Sequence, residues 1–271
     1  MALEVCVLGS GSRGNCTYVS SGETSILIDA GLSCRQIARR LEQIGVGMDR
    51  LAAVCLSHEH ADHITGLATL HKRYGLPLFA NRGTVEALTY SDRFADLRWN
   101  VFSTGATFHI GDLAVHPFSL PHDAYEPVGF RISCEGTSVT VATDVGMPTT
   151  LLREHLRQSS LVVIESNHDE QLLRDSSRPP SLIQRILGRQ GHLSNEAAGA
   201  LLAEVAHPGL SCVFLAHLSE ECNRPELAVA SVRHALEKAG HAHVEVHCTF
   251  PDRPSVRRSV STCLTALPER Q

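Results

Sequence analysis

The chain has 271 residues, 43% of them hydrophobic, enough to bury one large core, and a formal net charge of −5. That balance excludes any general attraction to nucleic acid, so a polyanionic substrate would need local arginines and bound metal. No run approaches the roughly 18 apolar residues of a membrane span, and Met1 to Val5 lacks the basic, apolar, small-residue order of a signal peptide, so a cytoplasmic protein with no membrane contact is expected.

Leu3 to Leu8, Thr17 to Ser20 and Ser25 to Asp29 read as short strands, the last two joined by a Ser21-Gly22-Glu23 hairpin turn. Ser33 is an N-cap for a helix through Ile44, with Ile37, Leu41 and Ile44 on one stripe and Gly45 as the stop. Leu51 to Leu56 is a wholly apolar run that reads as a buried strand, and a helix from about Ile64 to Tyr74 follows. From Leu76 to Ala142 the pattern is mostly β, with strands at Leu76 to Ala80, Leu113 to Phe118, Val128 to Ser133 and Ser138 to Ala142, and one helix at Thr84 to Tyr90. Beyond Thr149, helices at Leu151 to Gln158, Ser181 to Leu187, Asn195 to Ala206 and Pro225 to Ala239 flank apolar strands at Leu161 to Glu165, Cys212 to Ala216 and Val244 to Cys248. One domain over residues 1–271 is expected, with a polar tail after Pro254 free to fray. Two sheets packed face to face between outer helices accommodate this order. The nine cysteines form no C-x-x-C pair and are scattered, which predicts reduced, buried thiols.

His58-Glu59-His60-Ala61-Asp62-His63 places four candidate metal ligands within six residues, directly after a buried strand. Solvated loops seldom gather imidazoles so densely, and a structural role for a lone histidine does not explain the group. Four side chains this close do not all reach one ion at the ~2.0–2.2 Å that zinc requires with N and O donors. Two adjacent ions resolve this, His58 and His60 facing one and Asp62 and His63 the other, with further ligands from elsewhere. His122, Asp144 and His217 each follow a predicted strand or its short extension. A carboxylate can serve two hard cations at once, and Asp144 is the candidate for that bridge.

The H-x-H-x-D-H run followed by His122, Asp144 and His217 resembles the ligand pattern of the metallo-β-lactamase superfamily of binuclear hydrolases. The resemblance implies an α/β fold, an αββα sandwich of two mixed β-sheets flanked by helices, with the metals in a groove at one edge of the sheets. It also implies that His58, His60 and His122 hold one metal, that Asp62, His63 and His217 hold the other, and that Asp144 bridges them. Gly9 to Asn15, Asp29-Ala30-Gly31, Glu165 to Asp169 and Gly191 to Asn195 are similar to the YycJ/WalJ branch. That branch implies a DNA substrate, 5′-to-3′ exonuclease action on a strand of duplex DNA, and a link to DNA repair.

Two divalent cations, Zn²⁺ or Mn²⁺, suit a nitrogen- and oxygen-rich site and would activate water for attack on phosphorus. Asp62 is a candidate to orient that nucleophile, and His192 or His168 to bind a phosphate oxygen or protonate the leaving group. Asn15, Ser166, Asn167 and Ser194 are candidate neutral donors to substrate. Gly9 to Gly14 also matches G-x-G-x-x-G after a strand, with Asp29 about 20 residues on, but the helix that a dinucleotide site needs is missing from Thr17 to Gly22. Arg153, Arg157, Arg174, Arg178, Arg185 and Arg189 could track a nucleic-acid backbone, yet Glu154, Glu165, Asp169, Glu170 and Asp175 nearly cancel them, so a solvated helical face is expected. Asp144 and His217 are 73 positions apart, too close for a large inserted cap. A thioesterase or lactonase acting on a small molecule is the enzymatic alternative, and a non-catalytic metal-binding regulatory module is the alternative of another class.

Overall fold

The structure, a computed structural model, describes residues 2–261. Its first sheet begins with β1 (Leu3–Gly9), β2 (Cys16–Ser20), β3 (Ser25–Ile28), β4 (Leu51–Cys55), β5 (Leu78–Asn81) and β6 (Trp99–Phe102), hydrogen-bonded in that order. The second holds β7 (Phe108–Ile110), β8 (Leu113–Ser119), β9 (Val128–Cys134), β10 (Thr137–Ala142), β11 (Leu161–Glu165), β12 (Cys212–Ala216) and β13 (Glu245–Cys248), also in sequence order. The last strand, β14 (Arg258–Val260), returns to pair antiparallel with β1. Part of the tail expected to fray is thus tied to the first sheet, while residues 262–271 lie outside the described residues.

Both sheets are mixed, antiparallel at their hairpins and parallel where helices connect the strands: β3 to β6 in the first and β10 to β13 in the second. Alternation along each strand sorts side chains between two layers. Val5 and Val7 of β1 pack between the sheets, while Cys6 and Leu8 face outward under helices. Likewise Leu161 and Val163 of β11 point into the inter-sheet core and Val162 and Ile164 into the helical layer. Both faces being covered explains why these strands read as unbroken apolar runs.

On the first sheet lie α1 (Cys34–Gln43), α2 (Ala61–Ile64), α3 (Leu67–Tyr74) and α4 (Arg82–Thr89). Ser33 caps α1 as expected, in a reciprocal capping box with Gln36. The single helix expected from Ile64 is divided: α2 forms one turn at the histidine cluster, and α3 starts only after Gly66. Any side chain at Gly66 would meet the Leu32 carbonyl at 2.3 Å. The second sheet carries α5 (Thr150–Leu156), α6 (Glu170–Arg174), α7 (Pro180–Ile186), α8 (Asn195–Val205) and α9 (Pro225–Lys238). α5, α8 and α9 cover the outer face of the sheet, whereas Leu173 of α6 and Ile186 of α7 share a small satellite cluster with Cys222. The strand order and flanking helices form the αββα sandwich of the metallo-β-lactamase fold.

Candidate metal centre

Five residues of the centre stand just past the carboxyl end of a strand or its extension, Asp29 after β3, His58 after β4, His122 after β8, Asp144 after β10 and His217 after β12, while Asp62 and His63 lie in the single turn of α2. Three loops interlock beneath them through the backbone. Asn15 N–H donates to the Asp62 carbonyl at 2.8 Å, Gly31 N–H to the Asn15 carbonyl at 2.8 Å, and Ala30 N–H to the His63 carbonyl at 2.8 Å. A Cβ at Gly31 would lie 1.6 Å from the Asp62 carbonyl oxygen, so only glycine admits this crossing. The G-x-G-x-x-G stretch leads into β2 and not into a helix, which removes the dinucleotide reading.

The seven sequence-predicted ligands converge. Ligand atoms of His58, His60 and His122 lie within 4.8 Å of one another, as do those of Asp62, His63 and His217 and those of His58, His63 and Asp144. Asp144 stands between the groups, its Oδ2 3.1 Å from His63 Nε2 and its Oδ1 3.7 Å from His122 Nε2. Asp62 Oδ2 lies 3.3 Å from His217 Nε2.

Outer acceptors set which imidazole nitrogen faces inward. His63 Nδ1 lies 2.8 Å from Asp29 Oδ2, His217 Nδ1 2.7 Å from Glu165 Oε1, and His122 Nδ1 3.2 Å from the Gly191 carbonyl. His58 Nδ1 lies 2.9 Å from Ser57 Oγ, which in turn donates to Asp29 Oδ2. Those acceptors assign the proton to Nδ1 and leave the Nε2 lone pairs directed at the cluster. His60 differs, presenting Nδ1 at 3.3 Å from His122 Nε2. Asp29 and Glu165 entered the sequence reading within family-like motifs but with no part in the site; the available signal was a carboxylate closing an otherwise apolar strand. Asp29, Asp144 and His217 also adopt positive φ of 63°, 60° and 56° without being glycine. Such backbone strain persists where surrounding contacts over-determine it, and here it aims three side chains into one centre.

Charge follows the same geometry. Burial would lower His63 and His217, but Asp29 and Asp144 facing the first, and Asp144, Asp62 and Glu165 facing the second, raise both well above the ordinary imidazole range. Burial would raise Asp144 and Glu165; His217 and His63 hold the first well below the carboxylate range, and His192 with His217 brings the second to about 2. His58 is lowered, chiefly by burial and then by His63. Two buried atoms facing the cluster, His58 Nε2 and Asp144 Oδ2, have no hydrogen-bond partner. An imidazole and carboxylate set with such orphaned inward atoms fits divalent metal ions.

The candidate substrate and acid-base residues divide. His192 lines a cavity of about 150 Å³ beside the centre, together with His217, Asn167, Ser12 and Ser219. Its Nδ1 is held by Glu165 Oε1 at 2.8 Å. Asn167 donates through Nδ2 to the His217 carbonyl at 2.8 Å. Asn15 is 4% exposed and places Nδ2 3.2 Å from Asp62 Oδ2 and 3.1 Å from His63 Nε2, so it touches the inward-facing atoms of two candidate ligands. His168 does not line the cavity: it is 1% exposed, neither ring nitrogen has a partner, and burial lowers its pKa to about 4. The hydroxyls expected to meet substrate are turned inward. Ser166 donates to Asn195 Oδ1 at 2.6 Å in a network with Asn223, and Ser194 is the N-cap of α8.

A family model described as a β-lactamase superfamily domain matches residues 24–217, a span that contains all of these candidate ligands. The chain is 35% identical over 260 residues to a Bacillus anthracis protein named exodeoxyribonuclease YycJ, covering 94% of this chain and 98% of that one. It is 33% identical over 252 residues to exodeoxyribonuclease WalJ of Streptococcus pneumoniae, covering 91% and 94% of the two. Among solved structures, the metallo-β-lactamase fold protein YhfI from Bacillus subtilis superposes with a TM-score of 0.72 over 96% of this chain and 100% of that one, at 17% identity.

Proposed function

We propose that this chain, which belongs to the β-lactamase superfamily, is a metal-dependent exodeoxyribonuclease that binds two divalent cations. The observation that carries the hydrolase is the meeting of two ligand groups, His58–His60–His122 and Asp62–His63–His217, at the single carboxylate of Asp144. The choice of DNA rests on the near full-length likeness to the two exodeoxyribonucleases. Zn²⁺ and Mn²⁺ are the cations that imidazole and carboxylate donors suit here. Degradation from 5′ to 3′ along one strand of duplex DNA, a role in repair and action in the cytoplasm complete the reading; eight free thiols among the described residues suit a reducing interior.

When bound, the cations supply Lewis-acid charge that polarises a phosphodiester and acidifies water. The protein's own groups set the geometry around that charge. Asp62, partly exposed and fixed by Asn15, is placed to accept a proton from attacking water and to orient it. Asn167 and Ser219 line the cavity where a phosphodiester would lie. His192, with Nδ1 committed to Glu165, has Nε2 left to donate to a departing oxygen. His168, Ser166 and Ser194 have no part in this scheme, because each is buried away from the cavity.

The test is incubation of the protein, loaded separately with Mn²⁺ and Zn²⁺, with DNA duplexes labelled at either the 5′ or the 3′ end. Stepwise metal-dependent shortening is expected, and Asp144→Ala should lose it by about a thousandfold or more, in the manner of a residue that acts only as part of a unit. Cleavage of a thioester or lactone with no shortening of DNA would keep the metal centre and overturn the substrate.

A further inference from the structure

The cavity beside the centre has two unlike walls. One carries neutral donors, the histidines already described and Asp123; the other is formed by residues 178–186, with Arg178, Leu182, Arg185 and Ile186. Leu182 and Ile186, one helical turn apart on α7, pack with Leu173 and Cys222 in the satellite cluster and so fix this wall in place. We infer that Arg178 and Arg185 bind phosphates of the DNA strand being degraded, next to the phosphodiester held at the centre. This inference rests on the nuclease reading and adds the residues that lead the strand into it.

Three observations support the assignment. First, the cavity of about 150 Å³ contains both arginines and both His192 and His217, so a chain of phosphates passing the histidines passes the guanidinium groups as well. Second, each arginine is held by one oxygen of a single carboxylate, whose charge a phosphate can replace. Arg178 reaches Glu221 Oε2 at 3.1 Å, and Arg185 Nε reaches Asp123 Oδ2 at 2.5 Å. Both pairs are open to water, with side-chain exposures of 24% and 72% for Arg178 and Glu221 and 63% and 27% for Arg185 and Asp123, so opening them costs little. Third, the other arginines of the region are placed differently. Arg153 and Arg157 pair with Glu204 across α5 and α8, Arg174 pairs with Glu170 along α6, and none of the three lines the cavity. The near cancellation of charge in the sequence therefore conceals two cations sited where a strand would run.

The experiment uses the Mn²⁺-loaded full chain and an end-labelled duplex, with KM measured at low and at physiological salt. Arg178→Ala and Arg185→Ala should each raise KM about tenfold and reduce the slope of log KM against log salt by about one. Arg178→Lys should recover part of the loss. Glu221→Gln, which frees Arg178 and removes a competing charge, should lower KM about threefold, while Arg153→Ala should leave KM unchanged. Shifts of Arg178→Ala and Glu221→Gln in the same direction would show that the pair only braces the loop, and the inference would fall. It would also fall if the alanine variants shortened DNA with wild-type KM and salt slope, and the nuclease reading would then stand. A wild-type protein that leaves DNA intact removes both.

Discussion

Asp29, just past β3 in the first sheet, accepts hydrogen bonds from Ser57 N–H, Ser57 Oγ and His63 Nδ1; Glu165, ending β11 in the second, accepts from Val145 N–H, Leu193 N–H, His192 Nδ1 and His217 Nδ1. Both carboxylates are buried, and both orient histidines from behind. They differ in what they gather. The partners of Asp29 all belong to the one loop from Ser57 to His63, whereas those of Glu165 come from three segments spread between Val145 and His217. The first half of the centre is a local structure held in place; the second is assembled by a single side chain. Loss of the second carboxylate should therefore do more harm.

Glu165→Gln is the severest test of that difference. The amide cannot accept from both imidazoles and both backbone groups with a carboxylate's charge, and activity together with bound metal should fall about a hundredfold, the upper end for groups that orient metal ligands. Metal content of the purified variant, read beside turnover, separates lost ligand orientation from lost acid chemistry. Asp29→Asn should cost about tenfold, since the loop retains its backbone ties to Asn15 and Ala30. An Asp29→Asn loss equal to that of Glu165→Gln would break the comparison. Ser57→Ala leaves His63 paired with Asp29 and deprives only His58 of its Nδ1 acceptor, so a loss of a few-fold in metal affinity is expected by titration.

The smallest effect concerns a histidine with no carboxylate. His155 is 7% exposed, stacks on Phe118 with centroids 4.1 Å apart, and has no partner at either ring nitrogen; burial, then His116 and Arg131, lower its pKa to about 4. Its folded value lies below the unfolded one of about 6.5, so the stability it permits is fully present above pH ~6.5 and is lost as pH falls from there towards about 4. Between about pH 7 and about pH 5 the loss should be about 2 kcal/mol, and His155→Phe should remove that much of the pH dependence of the unfolding free energy read from urea titrations. An unchanged shift would mean that the ring is solvated or protonated in the folded protein.

How far the centre is legible in the sequence follows from the same division. His58, His60, Asp62 and His63 stand out because density within one loop is a local property, and Asp144 and His217 because each ends an apolar strand. Asp29 and Glu165 have the same strand-end position and were noted only within motifs, without a role, since nothing nearby in sequence shows that their partners are imidazoles 34 and 52 residues away. Ser166 and Ser194 were expected to meet substrate, and their hydroxyls are turned inward: a hydroxyl serves equally as donor to a ligand, network member or helix cap, and the choice rests on Asn195 and Ala197 being within reach. In the fold, β6, β7 and β14 escaped the reading, being three or four residues long at sheet edges or ends, where pairing with a neighbour rather than hydrophobic pattern makes a strand.

Alternation of apolar side chains, capping residues and the crowding of ligands in one loop are encoded over a few neighbouring positions, so the sequence alone determined the layered fold, most helices and the identity of the candidate ligands. Which nitrogen of each imidazole faces inward, which hydroxyls are spent internally and which two of six arginines border the cavity depend on contacts between segments far apart in the chain. Those contacts exist only once two sheets have packed and brought their carboxyl ends together, and only the tertiary structure decided them.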